Sequence, residues 1–170
     1  SQQIMQNSIN GLKHSLRKHT VDIYPPVVII NEYMSDEKIY RIHQSCDCFV
    51  SLERGAAWNI PAMDAMGFGN MVIANEWGGQ NQFLSSNYNN VVLVKSKPET
   101  VGGMNHCPYP NLYTCHEEWY TPDLPLTKGW MRTFYNKAEG NKIKKIQRAD
   151  WYQEWGLESS GYKIKKILES

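Results

Sequence analysis

Apolar side chains at Ile4, Ile9, Leu12 and Leu16 recur at helical spacing and predict a helix over residues 4–18. Pro25-Pro26 stops any continuation, and the run Val27 to Ile30 predicts a strand buried on both faces. Ser35, Asp36 and Glu37 then supply a cap and an acidic first turn. The helix they open carries Ile39, Ile42 and His43 on one face, and the histidine reads as a core-edge residue rather than a ligand. A second strand is expected over 47–51, a third over 71–74 and a fourth over 91–94. Pro61 suits the first turn of a helix over 62–68, because its missing N–H costs nothing there, and Gly67 or Gly69 can end that helix in a left-handed cap. Trp77 to Gln80 reads as a tight loop, followed by a short helix through Phe83 and Leu84.

Strands that alternate with helices at these intervals imply parallel crossovers and helices on both faces of one sheet. Ligands in such sheets bind beyond the carboxyl ends of the strands, so the loops at 31–35, 51–60 and 75–80 form the candidate site. Residues 95–122 combine prolines and aromatics without a period and read as a long ordered excursion. Residues 127–138, 141–152 and 158–168 look helical, with Ile143, Ile146 and Trp151 on one side and Tyr162, Ile167 and Leu168 on another. Four of the six tryptophans lie between 119 and 155, which points to C-terminal helices packed on the sheet.

A chain of 170 residues fits one domain, with a sheet core over about 20–110 and helices over about 123–170. The net charge of +1 removes the electrostatic case for nucleic acid or an anionic membrane as the main partner. Residues 1–122 carry 8 basic and 11 acidic side chains, whereas residues 123–170 carry 10 and 6. The densest basic group, Lys142, Lys144, Lys145 and Arg148, reads as a solvated helix face or as a docking face for an acidic domain. No apolar run is long enough to cross a bilayer, and the polar start is neither a signal nor a transit peptide. A soluble, cytoplasmic chain is the expectation. Cys46 and Cys48 stand too close for a relaxed bridge and lead into Phe49-Val50, so both are expected to be buried thiols. His106-Cys107 and Cys115-His116 have poor spacing for zinc, and no metal is expected.

The stretch from Cys46 to Ala74 is the most informative. Trp58, Ile60, Pro61, Ala65, Met66, Gly69 and Val72-Ile73-Ala74 fall in the order of a strand, a short loop, a proline-started helix and a Val-Ile-Ala strand. In this it resembles the donor-binding half of retaining GT-B glycosyltransferases of family four. Their pattern is Glu-Gly-(Phe/Trp)-Gly-Leu-Pro, two residues, Glu-Ala-Met, a small residue and Gly. Gly78-Gly79 followed by Gln80-Asn81-Gln82-Phe83 resembles the family's next loop. Weaker similarity reaches upstream to Asp36 and downstream to Trp119–Leu124 and Met131-Arg132, covering about two-thirds of the chain.

The resemblance implies an α/β Rossmann-like domain, one half of a GT-B fold, that binds a nucleoside diphosphate sugar as substrate, with no separate cofactor and no catalytic metal. The diphosphate would lie over Asn59, Ile60, Pro61 and Ala62, where a helix start offers N–H groups and a positive dipole end. The base would stack near Glu32, Tyr33 and Met34, and Asp64 would take the ribose hydroxyls. Sugar hydroxyls would meet Ala56, Ala57, Trp58 and Asn59, with Gly78 and Gly79 nearby. Asp64 stands where the family has glutamate, and an acidic residue supporting a helix start is the other reading. Ala56 replaces the family's first carboxylate, and Ala57 and Asn59 replace its glycines. Glu53 either reaches the sugar from an altered loop or is a surface residue. Arg54 either neutralises a phosphate or is solvated. Asn59 either caps the helix or offers its amide to the sugar. The family's Arg and Lys for the departing diphosphate, and its acceptor-binding N-terminal domain, have no counterpart here. The expectation is therefore the donor half of a glycosyltransferase, inactive alone; the alternative is a non-catalytic module that binds a nucleotide or a protein.

Overall fold

A computed structural model describes residues 2–17, 24–101, 112–113, 116–140, 145 and 149–169, with the side chains of 149 and 150 excepted. The helical stripe at 143 and 146 and the His106, Cys107 and Cys115 group lie outside the described residues. The chain divides into two compact units, Ser1–Glu37 and Lys38–Ser170.

In the first unit the expected helix forms as α1 (Gln2–Arg17), and the Tyr24 hydroxyl donates to the Lys13 carbonyl at 3.0 Å. Ile4, Leu12 and Leu16 on its apolar stripe are exposed. The segment Val27 to Ile30 is not the buried strand its composition suggests. It is irregular, and Val28 is 81% exposed. Pro25-Pro26 holds the entry extended without donating a ladder bond, and the described residues provide no strand to pair with it. An aliphatic run alone does not make a strand.

The second helix, α2 (Asp36–Ser45), begins at the acidic pair and leads into the second unit. There β1 (Cys48–Ser51), β2 (Met71–Asn75) and β3 (Val91–Val94) form a parallel sheet in that order. Cys48 faces Met71 across the first pair, and Val72 faces Val91 across the second. The crossover from β1 to β2 is α3 (Ile60–Gly67), closed by Gly69 at φ 73°, and a 3₁₀ turn (Gly79–Gln82) lies between β2 and β3. All five residues of β2 are buried, the apolar run Met71 to Ala74 and the closing Asn75 alike, as befits a central parallel strand.

Strand alternation distributes the core to two faces. Val72, Ala74 and Val91 pack with Ala62, Ala65 and Met66 of α3 and with Trp151 of α5 (Ala149–Trp155). Met71, Ile73 and Val94 pack with Phe134 of α4 (Leu124–Glu139), where Trp130 joins them. Asp123 caps α4, accepting from the Leu126 N–H at 2.9 Å. Asn70 donates to the His43 carbonyl at 2.9 Å, and Lys145 donates to the carbonyls of His43 and Gln44. Within the basic group, Lys145 is thus a cap on α2, where a cation meets the negative end of the helix dipole, rather than part of a solvated face.

Three expectations are corrected. Residues 95–122 contain an antiparallel pair, β4 (Ser96–Thr100) and β5 (Glu118–Pro122), with Pro98 opposite Tyr120. The last helix, α6 (Leu157–Leu168), does not bury its apolar side: Tyr162, Ile167 and Leu168 are all exposed. Cys46 is exposed, and only Cys48 is partly buried. Burial, and then Asp47 and Cys46, push the Cys48 thiol up to about 11. At pH 8, alkylation followed by peptide mass mapping should therefore label Cys46 and leave Cys48 largely unmodified. Among the described residues, no helix is long and apolar enough to cross a membrane.

Candidate functional site

Strand β1 ends at Ser51 and strand β2 at Asn75, so the loops that follow them emerge from one edge of the sheet. Asn59 joins them. Its backbone is left-handed, at φ 61° and ψ 63°, the only positive φ outside glycine among the described residues. Its side-chain oxygen accepts from the Ala62 N–H at 3.2 Å and caps α3. Its amide donates to Ser51 Oγ at 3.0 Å and to Gln80 Oε1 at 2.5 Å. Gln80, fully buried, donates onward to the carbonyls of Asn75 at 2.6 Å and Trp77 at 3.2 Å. Asparagine suits the position because a short amide tolerates the left-handed region and can cap and cross-link at once.

Gly78 and Gly79 seat the second loop on the first. The Gly79 N–H donates to the Ala56 carbonyl at 3.0 Å. A Cβ on Gly79 would stand 1.7 Å from the Ala57 carbonyl oxygen, and one on Gly78, at φ 107°, 2.8 Å from that of Ala56. The near-absence of bulk at these glycines thus serves loop-on-loop packing.

The other residues singled out in the sequence are placed as follows. Ile60 and Pro61 are exposed at the start of α3. Trp58 turns toward the aromatic cluster: its indole N–H points at Met63 Sδ at 3.2 Å, and its ring lies 5.2 Å from Phe83 and 5.8 Å from Trp155. Arg54 lies 3.8 Å from Glu99 of β4, with both side chains partly exposed to solvent. Glu53 is exposed, and its carbonyl accepts from Asn75 at 3.0 Å. Tyr33 and Met34 belong to the first unit, where Tyr33 is 96% exposed.

Asp64 lies one turn beyond Ile60 on the same face of α3, the face away from the core. It lines a cleft of ≈ 840 Å³ whose walls include Tyr40, Phe68, Trp151, Tyr152 and Trp155, with Glu158 of α6 at its edge. The Ala56–Asn59 loop does not line this cleft. Gly67 makes room for Tyr152, whose hydroxyl would be 2.7 Å from a Cβ there. Burial, then Asp64 and Tyr40, raise the Tyr152 phenol above its usual range. The sequence singled out Trp151 but not Tyr152, Trp155 or Glu158. They reach the cleft only through the fold of α5 and α6, and tryptophan crowding was their sole trace.

His43 is buried, stacked on Phe68 with ring centroids 5.8 Å apart. Burial lowers its pKa; Asp64 opposes this and Lys145 adds to it. The unfolded imidazole titrates near 6.5 and the folded one lower, so the unfolded chain takes up its proton first. Stability should therefore decline as pH falls below about 6.5, until the folded imidazole titrates as well. Thermal unfolding at about pH 7.5 and about pH 5.5 checks this, with His43→Phe expected to show the smaller loss.

No protein-family model, curated protein or solved structure matches the chain. Among the described residues, no group of three or more His, Cys, Asp or Glu could hold a metal ion.

Proposed function

We propose that this chain is the Rossmann-like donor-binding half of a retaining GT-B glycosyltransferase, moving a sugar from a nucleoside diphosphate to a hydroxyl acceptor. The observation that supports this reading is the meeting of the Asn59-capped start of α3 with the Gly78–Gly79 turn, at the carboxyl ends of two parallel strands. Doubly wound sheets bind ligands at such an edge. On this reading the diphosphate lies over Asn59, Ile60, Pro61 and Ala62, and the sugar hydroxyls meet the Ala56–Asn59 loop. The nucleoside runs along the outer face of α3 to Asp64, which accepts the ribose hydroxyls. A separate acceptor-binding domain completes the enzyme, because one half cannot orient an acceptor against the donor.

A second reading, a module that binds without catalysing transfer, is favoured by one feature of the same edge. The donors at the start of α3 are largely committed: Ala62 N–H to Asn59, and Pro61 has none. No carboxylate stands at Ala56, where the family has one.

Titration of the chain with UDP, GDP and their sugars, followed by amide NMR, tests both. Shifts at residues 56–60 and 78–80 support nucleotide binding; unchanged spectra overturn it. Transfer when the chain is joined to an acceptor domain supports the enzyme, and binding without transfer supports the module. Asp64→Asn should weaken nucleotide binding roughly ten- to hundredfold, since a lost charge-assisted hydrogen bond costs about 1.5–3 kcal/mol. Calorimetric titration of both proteins measures it, and equal affinities remove the ribose role.

A further inference from the structure

We infer that the cleft beside α3 receives the base of the donor nucleotide and that this base is guanine; the inference rests on the donor-binding reading above and names its nucleotide. Asp64, the residue assigned to the ribose, lines the cleft, so the base attached to that ribose reaches a hollow of ≈ 840 Å³. Every residue of the lining belongs to the second unit, Lys38–Ser170. The cleft therefore replaces the position near Glu32, Tyr33 and Met34 that the resemblance implies for the base.

The walls suit a flat, neutral heterocycle. Tyr40 and Tyr152 line the cleft and are 44% and 56% exposed, which leaves their rings open to stacking. Trp155 is less open, because the Lys163 ammonium lies 5.3 Å from the centre of its ring. The described lining holds two carboxylates, Asp64 and Glu158, and no lysine or arginine, so the phosphates stay at the start of α3. With Asp64 on the ribose, Glu158 is the carboxylate left to read the edge of the base. It is exposed on the first turn of α6, and its carboxylate has no hydrogen bond or ion pair among the described residues.

An ionised carboxylate only accepts hydrogen bonds. Guanine presents two adjacent donors on one edge, the N1–H and the 2-amino group, which a carboxylate takes together. Uracil presents a single N–H between two carbonyls, and those oxygens would face the carboxylate oxygens. Adenine and cytosine set their amino group beside a ring nitrogen that accepts. Guanine is thus the base whose edge meets Glu158 without a repulsive contact.

Calorimetric titration of the full chain with GDP, UDP and IDP, whose base is guanine without the 2-amino group, tests this. GDP should bind about tenfold more tightly than UDP, with IDP between them. Amide NMR should show GDP shifts at Tyr40, Tyr152 and Glu158 as well as at residues 56–60. Glu158→Gln, an exposed change, should fold normally, weaken GDP about five- to tenfold and leave UDP within about twofold. Asp64→Asn, by contrast, should weaken both nucleotides alike. Equal affinities for GDP and UDP overturn the inference and leave the donor reading intact. So does a GDP preference that survives Glu158→Gln, or a set of GDP shifts confined to the loops. Binding of neither nucleotide fails the donor reading itself, and this inference with it.

Discussion

Alanine in place of Asn59 is expected to lower the unfolding free energy by about 3–5 kcal/mol, well above an ordinary substitution. Three separate losses converge. Removing the cap on α3 costs about 1 kcal/mol. The buried Gln80 oxygen loses its donor, at about 1–3 kcal/mol. Alanine must also hold φ 61° without the local side-chain hydrogen bonds that let asparagine tolerate it. Asn59→Gly isolates the last part, because glycine adopts that backbone freely but restores none of the hydrogen bonds. Urea unfolding should place the glycine variant about 1–2 kcal/mol above the alanine variant. Equal stabilities would show that the backbone conformation contributes nothing. Asn59→Asp keeps the cap but sets a carboxylate against Gln80 Oε1, and Gln80 cannot flip while its amide serves Asn75 and Trp77.

Gly79→Ala should cost about 3 kcal/mol, at the upper end of overpacking effects. The obstacle at 1.7 Å is the Ala57 carbonyl oxygen, with the Ala57 carbon at 2.8 Å, and main chain has no rotamer to turn aside. The loop has to lift, and lifting it draws Gln80 away from Asn59. Amide shifts at Trp58, Asn59 and Gln80 should accordingly move together. Gly129→Ala is the control, because nothing lies within 4 Å of a Cβ there. Inside α4 that change should stabilise by about 0.5–1 kcal/mol. Destabilisation at both glycines would remove the loop-contact explanation.

The parallel sheet was legible because its strands are short apolar runs separated by proline- and glycine-bounded segments, as at Pro61, Gly67 and Gly69. The same rule failed at Val27 to Ile30, where composition matched a buried strand but no strand among the described residues pairs with it. Composition reports what a segment can bury, and pairing decides whether it does. β4 and β5 escaped notice because Pro98 and the half-exposed residues around it lack the alternation of a one-sided strand. At the site, the resemblance singled out Asn59, Gly78 and Gly79 and left two roles open for Asn59, of which the cap is the one seen. Gln80 was named within the motif, but its bonds to Asn59, Asn75 and Trp77 could not be read from spacing. The aromatic cleft was least legible, since residues 40, 64, 152 and 158 come together only through tertiary packing.

The asparagines that flank β2 have a consequence for strand alignment. A strand apolar on both faces is poorly protected against slipping by one residue, because the exchange moves Val72 and Ala74 to where Met71 and Ile73 were, and neither face becomes polar. Asn70 stands just before this strand and Asn75 is its last residue, both fully buried. One amide donates to the His43 carbonyl, and the other to those of Glu53 and Tyr120. A slip of one residue carries each amide about 3.3 Å, out of hydrogen-bonding range. Each stranded amide then costs about 1–3 kcal/mol in the interior. The two ends hold the strand to a single alignment that its apolar middle could not select.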